Sequence, residues 1–339
     1  MTRYPNMPLH REAMRVDRFG ADSPTPARET VARRGLAGRA IVRVTHASVG
    51  VTDAMAARGD YLLHPFRGFV PGYDFVGTVE HLPAGDRSGL SLGRRVAAVM
   101  PFMGAHADMV SLAPSLLVPV PDELDSPTAA TLPLDTVTAF FALDALALDD
   151  GASVLVQGAS GAVGAWTVQL AAERGLAVYG TASPRSRDYA ERLGAEVLDY
   201  RDPAWIERLA TASGGVSGAI DHTGSRALRR AVRPGGRIVR IAFGGEPGRQ
   251  RSATATGFLT AAMRRYARPG ERVSSVPIIV ATRRSAYRRA LSTLMEAVAT
   301  GRLLAPLPQT FPLTEYADAL KAANSGDPGV KTVLTMSHK

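Results

Sequence analysis

The sequence has 339 residues, 45% of them apolar and 21% charged, with no cysteine. It is long enough for two domains, and it excludes disulfides, thiolate nucleophiles and thiolate-held metals. A net charge of +9 raises nucleic-acid binding, but only Lys321, Lys331 and Lys339 are lysines and the arginines are dispersed among acids, so no nucleic-acid partner is expected. One denser group of arginines runs from Arg264 to Arg289. No apolar run reaches the ~20 residues that span a bilayer, so no membrane partner is expected. MTRYPNMPLHREAMRVDRFG carries charges too early and too often for a signal peptide. The expected location is the cytoplasm.

The first 120 residues read as short strands broken by Gly and Pro: AIVRVTHASV (40–49) and FVGTVEHL (75–82) alternate, and RRVAAVM (94–100) follows a GLSLG turn. From SPTAATLPLDTVTAFFALDAL (126–146) the texture becomes helical, with Ser126 as cap and Pro127 as first helical residue. Strand and helix then alternate: SVLVQG (153–158), a helix over 162–175, LAVYGTAS (176–183), a helix over 184–194, AEVLDY (195–200), a helix near 203–210, and GAIDHTG (218–224). ALRRAVRPGGRIVRIAF (227–243) supplies a helix and a strand, and VPIIVAT (276–282) reads as the last strand. Residues 251–275 read as an insertion before it. The tail reads as a helix, a PLPQTFPL linker, a short helix and the strand KTVLTM. Apolar strands alternating with helices predict a doubly wound parallel sheet. The fold class is α/β, with a β-rich domain over 1–126 and 284–339 and a nucleotide-binding domain over 127–283.

VLVQGASGAVG (154–164) follows a strand and opens a helix, as a dinucleotide fingerprint must. Gly158 suits the tight turn, Gly161 a close backbone approach to pyrophosphate, and Gly164 helix packing on the strand. Ser160, Ala162 and Val163 complete the loop, and the helix start offers N–H donors to phosphates. An NAD site wants an acid at the end of the second strand. Here that strand runs into GTASPRSR (180–187), where Ser183, Arg185 and Arg187 suit a 2′-phosphate. The expected cofactor is NADPH.

Taken in order, the segments ASVGVTDAMAARGDY (47–61), FVPGYDFVGTV (69–79), VTAFFAL (137–143), the glycine loop, LGAEVLDYRD (193–202) and RPGGRIVRIAF (233–243) resemble the zinc-independent, quinone oxidoreductase-like branch of the medium-chain dehydrogenase/reductases. That resemblance implies a GroES-like β-rich catalytic domain beside a Rossmann cofactor domain, a homodimer, and a substrate in the cleft between the domains. It also implies no catalytic zinc, because Gly72-Tyr73-Asp74 stands where zinc members carry Gly-His-Glu. The small-molecule substrate is then an activated C=C of an α,β-unsaturated carbonyl, or a quinone. Tyr61 matches the branch's tyrosine and is the expected proton donor. Thr138, Tyr200, Phe243 and Gly244 match residues along the cofactor. Gly50 replaces the usual Asn or Ser near the nicotinamide, and with Val51, Phe258 and Met263 it is assigned to the substrate pocket. Two alternatives stay open: a non-catalytic NADPH-binding protein of the same fold, and an enzyme of secondary metabolism with unusual redox or cyclising chemistry.

Overall fold

The computed structural model describes residues 9–20, 24–31, 38–244, 248–267 and 270–336. In chain order the first elements are β1 (Leu9–Arg15), β2 (Thr25–Val31), β3 (Ala40–Ser48), α1 (Val51–Ala57), β4 (Asp74–His81), β5 (Arg95–Val99), β6 (Met109–Leu112), β7 (Val118–Pro119), α2 (Ser126–Ala130) and α3 (Pro133–Leu146). The nucleotide-binding part follows with β8 (Ser153–Val156), α4 (Ala162–Glu173), β9 (Ala177–Ala182), α5 (Arg187–Arg192), β10 (Glu196–Asp199), α6 (Trp205–Ser213), β11 (Val216–Asp221), β12 (Val232–Arg240), α7 (Gln250–Ala267) and β13 (Glu271–Val273). The return comprises α8 (Val276–Thr282), α9 (Arg284–Ala299), β14 (Leu307–Pro312), α10 (Tyr316–Ser325) and β15 (Val330–Thr335).

Two compact units result. One takes the chain up to Leu134, then 276–326 and 330 onward; the other takes 135–275 with 327–329. In the first, β1 and β2 pair antiparallel. A seven-stranded sheet runs β14-β15-β3-β4-β5-β7, with β6 on β3. Its central strands bury Val42, Val44, Phe75, Val76, Val96 and Val99. Such β-branched and aromatic residues suit a pleated, packed surface.

The second unit is a six-stranded sheet in the order β10-β9-β8-β11-β12-β13, every pairing parallel. With β8 as the first strand this is the dinucleotide-binding order, whose direction reverses between β8 and β11. One face is filled by Leu155, Ile206, Leu209, Val216, Ala219, Leu228 and Ile238.

Four expectations need correction. VPIIVAT is helix α8, not a strand: Val276 and Val280, four apart, are buried while Ile278 is exposed, a helical period, and Pro277 falls in the first turn, where its missing N–H costs nothing. The sixth strand is instead β13, so residues 251–275 hold α7 and that strand rather than a plain insertion. PLPQTFPL is not a linker but largely strand β14, at the sheet's edge, where Pro308 and Pro312 are tolerated. The cap of α2 lies one residue earlier than expected: the Asp125 carboxylate accepts from Thr128 N at 2.8 Å, and Pro127 is second.

Candidate active site

At the carboxyl end of β8 the chain turns through Gly158, whose φ of +65° favours glycine. A Cβ there would meet His222 Cε1 at 2.8 Å, so the His222 ring lies over the first glycine. A Cβ on Gly164 would come within 2.0 Å of the Gly158 carbonyl oxygen. Only glycine lets α4 start this close to the strand. Gly161 caps α4 without a side chain, and Ala162 is exposed at the helix start, leaving N–H groups of the first turn for an anion. Thr181 Oγ1 on β9 accepts from Gly158 N at 3.0 Å and steadies the turn. This backbone cradle, which a Cβ on Gly164 would invade, fits a dinucleotide pyrophosphate.

At the end of β9, three hydroxyls line up: Ser160 Oγ donates to Ser186 Oγ at 3.0 Å, and Ser186 Oγ lies 3.0 Å from Ser183 Oγ. Ser186 was not foreseen, because nothing in its local pattern marks it. Arg185 is exposed and paired with Asp327. Arg187 donates to Glu191 at 3.1 Å and to the Val197 carbonyl at 3.0 Å. The two arginines therefore stand near the expected subsite but are already engaged. Tyr200 is exposed, with Arg201 over its ring at 5.9 Å.

Beyond β11, Asp221 is fully buried. Its carboxylate accepts from Thr223 N at 2.8 Å and Gly224 N at 3.0 Å, and it pairs with the buried Arg240. Arg240 Nη2 also donates to Ser225 O at 3.1 Å. This network fixes the 221–225 loop and was invisible in the sequence, because its members are far apart in the chain. Gly244 N donates to Thr223 O at 3.1 Å. Phe243 is buried, and a Cβ on Gly257 of α7 would come within 2.3 Å of its ring. Thr138 lies half-buried on α3. Met263 and Leu259 are exposed on α7; the side chain of Phe258 lies outside the described residues.

In the other unit, Tyr61 follows the turn after α1. Tyr73 Oη donates to Tyr61 Oη at 3.1 Å, with the rings edge to face at 6.2 Å. Burial pushes the Tyr61 phenol up to about 12, the Tyr73 hydrogen bond pulling it down and the Asp53 charge adding to the rise. Burial drives Tyr73 far higher still. His64 stacks on Tyr61 at 6.0 Å, with an interplanar angle of 7°. Its Nε2 lies 3.1 Å from the Phe102 carbonyl and so carries the proton. Burial lowers the His64 pKa.

Asp53, buried on α1, ties this region together: its carboxylate accepts from Gly50 N at 2.8 Å and Gly72 N at 2.9 Å. Gly50 has extended backbone, φ −136°, and a Cβ there would find no atom closer than Thr52 Oγ1 at 3.8 Å. Val51 beside it is exposed. Gly72, φ +89°, abuts His106. His106 is buried, with Nε2 2.9 Å from the Ser48 carbonyl and Nδ1 2.7 Å from Tyr316 Oη. A carbonyl only accepts, so Nε2 holds the proton and Tyr316 donates to Nδ1. Asp74 accepts from Ser48 Oγ at 2.5 Å and Leu134 N at 2.8 Å. At the zinc members' Gly-His-Glu position, Asp74 thus serves structural hydrogen bonds. Among the described residues, no three His, Asp or Glu side chains converge as metal ligands.

Comparison with known proteins agrees with this layout. A family model described as an alcohol dehydrogenase GroES-like domain matches residues 37–122, and one described as a zinc-binding dehydrogenase matches 193–334. A trans-enoyl reductase of Penicillium crustosum is 32% identical over 200 residues, which cover 52% of this chain and 54% of that protein. A quinone oxidoreductase of Rattus norvegicus is 29% identical over 236 residues, covering 67% and 71%. The chain thus spans about half the length of the first relative. The solved structure of JamJ enoyl reductase, in its apo form, superposes with a TM-score of 0.81 over 97% of this chain and 100% of that one, at 17% identity, and shows the shared fold. The chain belongs to the medium-chain dehydrogenase/reductase superfamily, among its quinone oxidoreductase-like and enoyl reductase-like members.

Proposed function

We propose that the protein is an NADPH-dependent reductase that delivers hydride to the activated C=C of an α,β-unsaturated carbonyl, or to a quinone, without zinc. The observation that carries this reading is the Tyr61 phenol, half-buried and hydrogen-bonded so that it stays protonated across the physiological range. A neutral acid of this kind can protonate the enolate that forms when hydride reaches the β-carbon. When bound, NADPH supplies the hydride. Gly158, Gly161 and Gly164, with the amides of Ala162 and Val163, would hold its pyrophosphate. Thr138, Phe243 and Gly244 belong to the nicotinamide side and Tyr200 to the adenosine side of this proposal. Gly50, Val51, Phe258 and Met263 are proposed to face the substrate.

NADPH is preferred to NADH on three grounds. No acid ends β9, the Ser160–Ser186–Ser183 hydroxyls gather there, and Arg185 stands beside them. The exposed Arg185–Asp327 pair is worth ~0–1 kcal/mol, so a phosphate can displace Asp327. Arg187 is also held by a backbone carbonyl, so the larger share falls to Arg185. The zinc-free reading is supported by Tyr73 and Asp74 at the zinc members' motif and by a cysteine-free sequence. Trans-enoyl and quinone reduction, named for the two relatives, set the substrate classes. The family resemblance extends the proposal to a homodimer in the cytoplasm.

The test is Tyr61→Phe, which keeps the ring and removes the proton. Enone turnover should fall by roughly 10²-fold or more, with NADPH affinity unchanged and a smaller loss for a quinone, whose oxygens can take protons from water. Undiminished enone turnover would remove Tyr61 from the reaction.

A further inference from the structure

We infer that Tyr73 is a positioning residue for the proton transfer: its phenol occupies the lone pair of Tyr61 Oη, so that the Tyr61 proton is aimed at the substrate and the phenolate left behind is stabilised. This rests on the reading above, in which Tyr61 is the acid. Tyr73 is 2% exposed and packs with Ala56 and Met103 in a small apolar cluster that also touches Tyr61. Its hydroxyl donates to Tyr61 Oη at 3.1 Å. Of the two phenols Tyr73 is the harder to ionise, since burial raises it further. The direction of the hydrogen bond follows: Tyr73 remains the donor, and Tyr61 is the member that can give up its proton. His64 limits rotation of the pair. Its ring lies parallel to Tyr61 at 6.0 Å, edge-on to Tyr73 at 6.2 Å, and is anchored through the Phe102 carbonyl.

The β-carbon of the enone gains a hydride from the reduced cofactor, which leaves as NADP⁺. The α-carbon gains the Tyr61 proton, and the Tyr61 phenolate, still accepting from Tyr73, regains a proton from water. A hydrogen bond to an ionised acceptor is roughly twice as strong as one between neutral groups. Tyr73 therefore helps more as charge develops on Tyr61 than before.

The experiment combines two readouts on the 339-residue chain. Tyrosine labelled with ¹³C at Cζ lets the Tyr61 signal be titrated without substrate, in the parent protein and in Tyr73→Phe. Enone reduction by NADPH is measured for Tyr73→Phe, Tyr61→Phe and the double variant. Tyr73→Phe should raise the Tyr61 pKa and lower kcat about 10-fold, with KM for NADPH unchanged. The double variant should be no slower than Tyr61→Phe alone, because Tyr73 acts through Tyr61. If Tyr73→Phe does not fold, 3-fluorotyrosine placed at position 73 keeps the ring, strengthens the donor and should shift the Tyr61 pKa downward. An unmoved Tyr61 titration, or additive rate losses, would overturn the inference and leave Tyr61 as the acid. A moved titration with full enone turnover in Tyr61→Phe would overturn the acid role itself, and this inference with it.

Discussion

At the scale of single residues, the glycines divide into those that cannot change and one that can. Gly164 belongs to the first group, since an added Cβ would lie 2.0 Å from a backbone oxygen. Gly164→Ala should force α4 off the strand and weaken NADPH binding at least 10-fold by fluorescence titration. Gly50 belongs to the second. Its extended backbone and open surroundings accept a side chain, and as the residue before α1 it should gain a few tenths of a kcal/mol as Ser or Asn. A thermal midpoint for Gly50→Ser equal to or above that of the parent checks this; a clear drop would show that the site is closed. Both roles were partly legible. The glycine spacing announced the cradle, and the missing Asn or Ser was visible at Gly50. The Tyr73–Tyr61 bond, the Ser186 hydroxyl and the Asp221–Arg240 pair were not, because each depends on which side chains meet after folding.

At the level of elements, β3, β4, β5, β8 to β12 and β15 were legible as alternating or continuous apolar runs, because burial and β-branching reinforce one another there. The errors fell where composition and environment disagree. VPIIVAT is rich in β-branched residues yet buries only one helical stripe, and β14 carries two prolines that are harmless at an edge. Pairing between elements also sets a pH response. His106, on the loop before β6, reaches the Ser48 carbonyl at the end of β3 and Tyr316 at the start of α10. Burial holds its pKa below the unfolded value of about 6.5. Between those two values the unfolded chain binds more protons, so stability is fully present above pH ~6.5 and declines as pH falls through that window. His64 is depressed in the same direction. Urea midpoints should therefore drop between pH 7 and pH 5, and less steeply in His106→Gln at equal denaturant sensitivity. A flat profile in the parent would contradict the buried neutral imidazole.

At the scale of the whole molecule, the two-unit division and the parallel sheet were readable from the alternation of strand and helix after residue 150. The relatives fix the superfamily, while cofactor choice, metal use and substrate rest on this chain's own residues. If Arg185 and the serines at the end of β9 bind a 2′-phosphate, NADPH should bind at least ~10-fold more tightly than NADH, a difference of ~1.4 kcal/mol. The preference should shrink in high salt, since exposed charges are screened. Equal dissociation constants would remove that subsite. Zinc-free hydride delivery is measured by isotope transfer: the protein, dialysed against EDTA, is given an enone and NADPH deuterated at the transferable C4 position, and the product is analysed by mass spectrometry and NMR. One deuterium should appear at the carbon β to the carbonyl, at a rate that chelation leaves unchanged. Tight NADPH binding with no label passed to any of a broad panel of enones, or activity that vanishes with removal of one metal per chain, would contradict zinc-free hydride delivery.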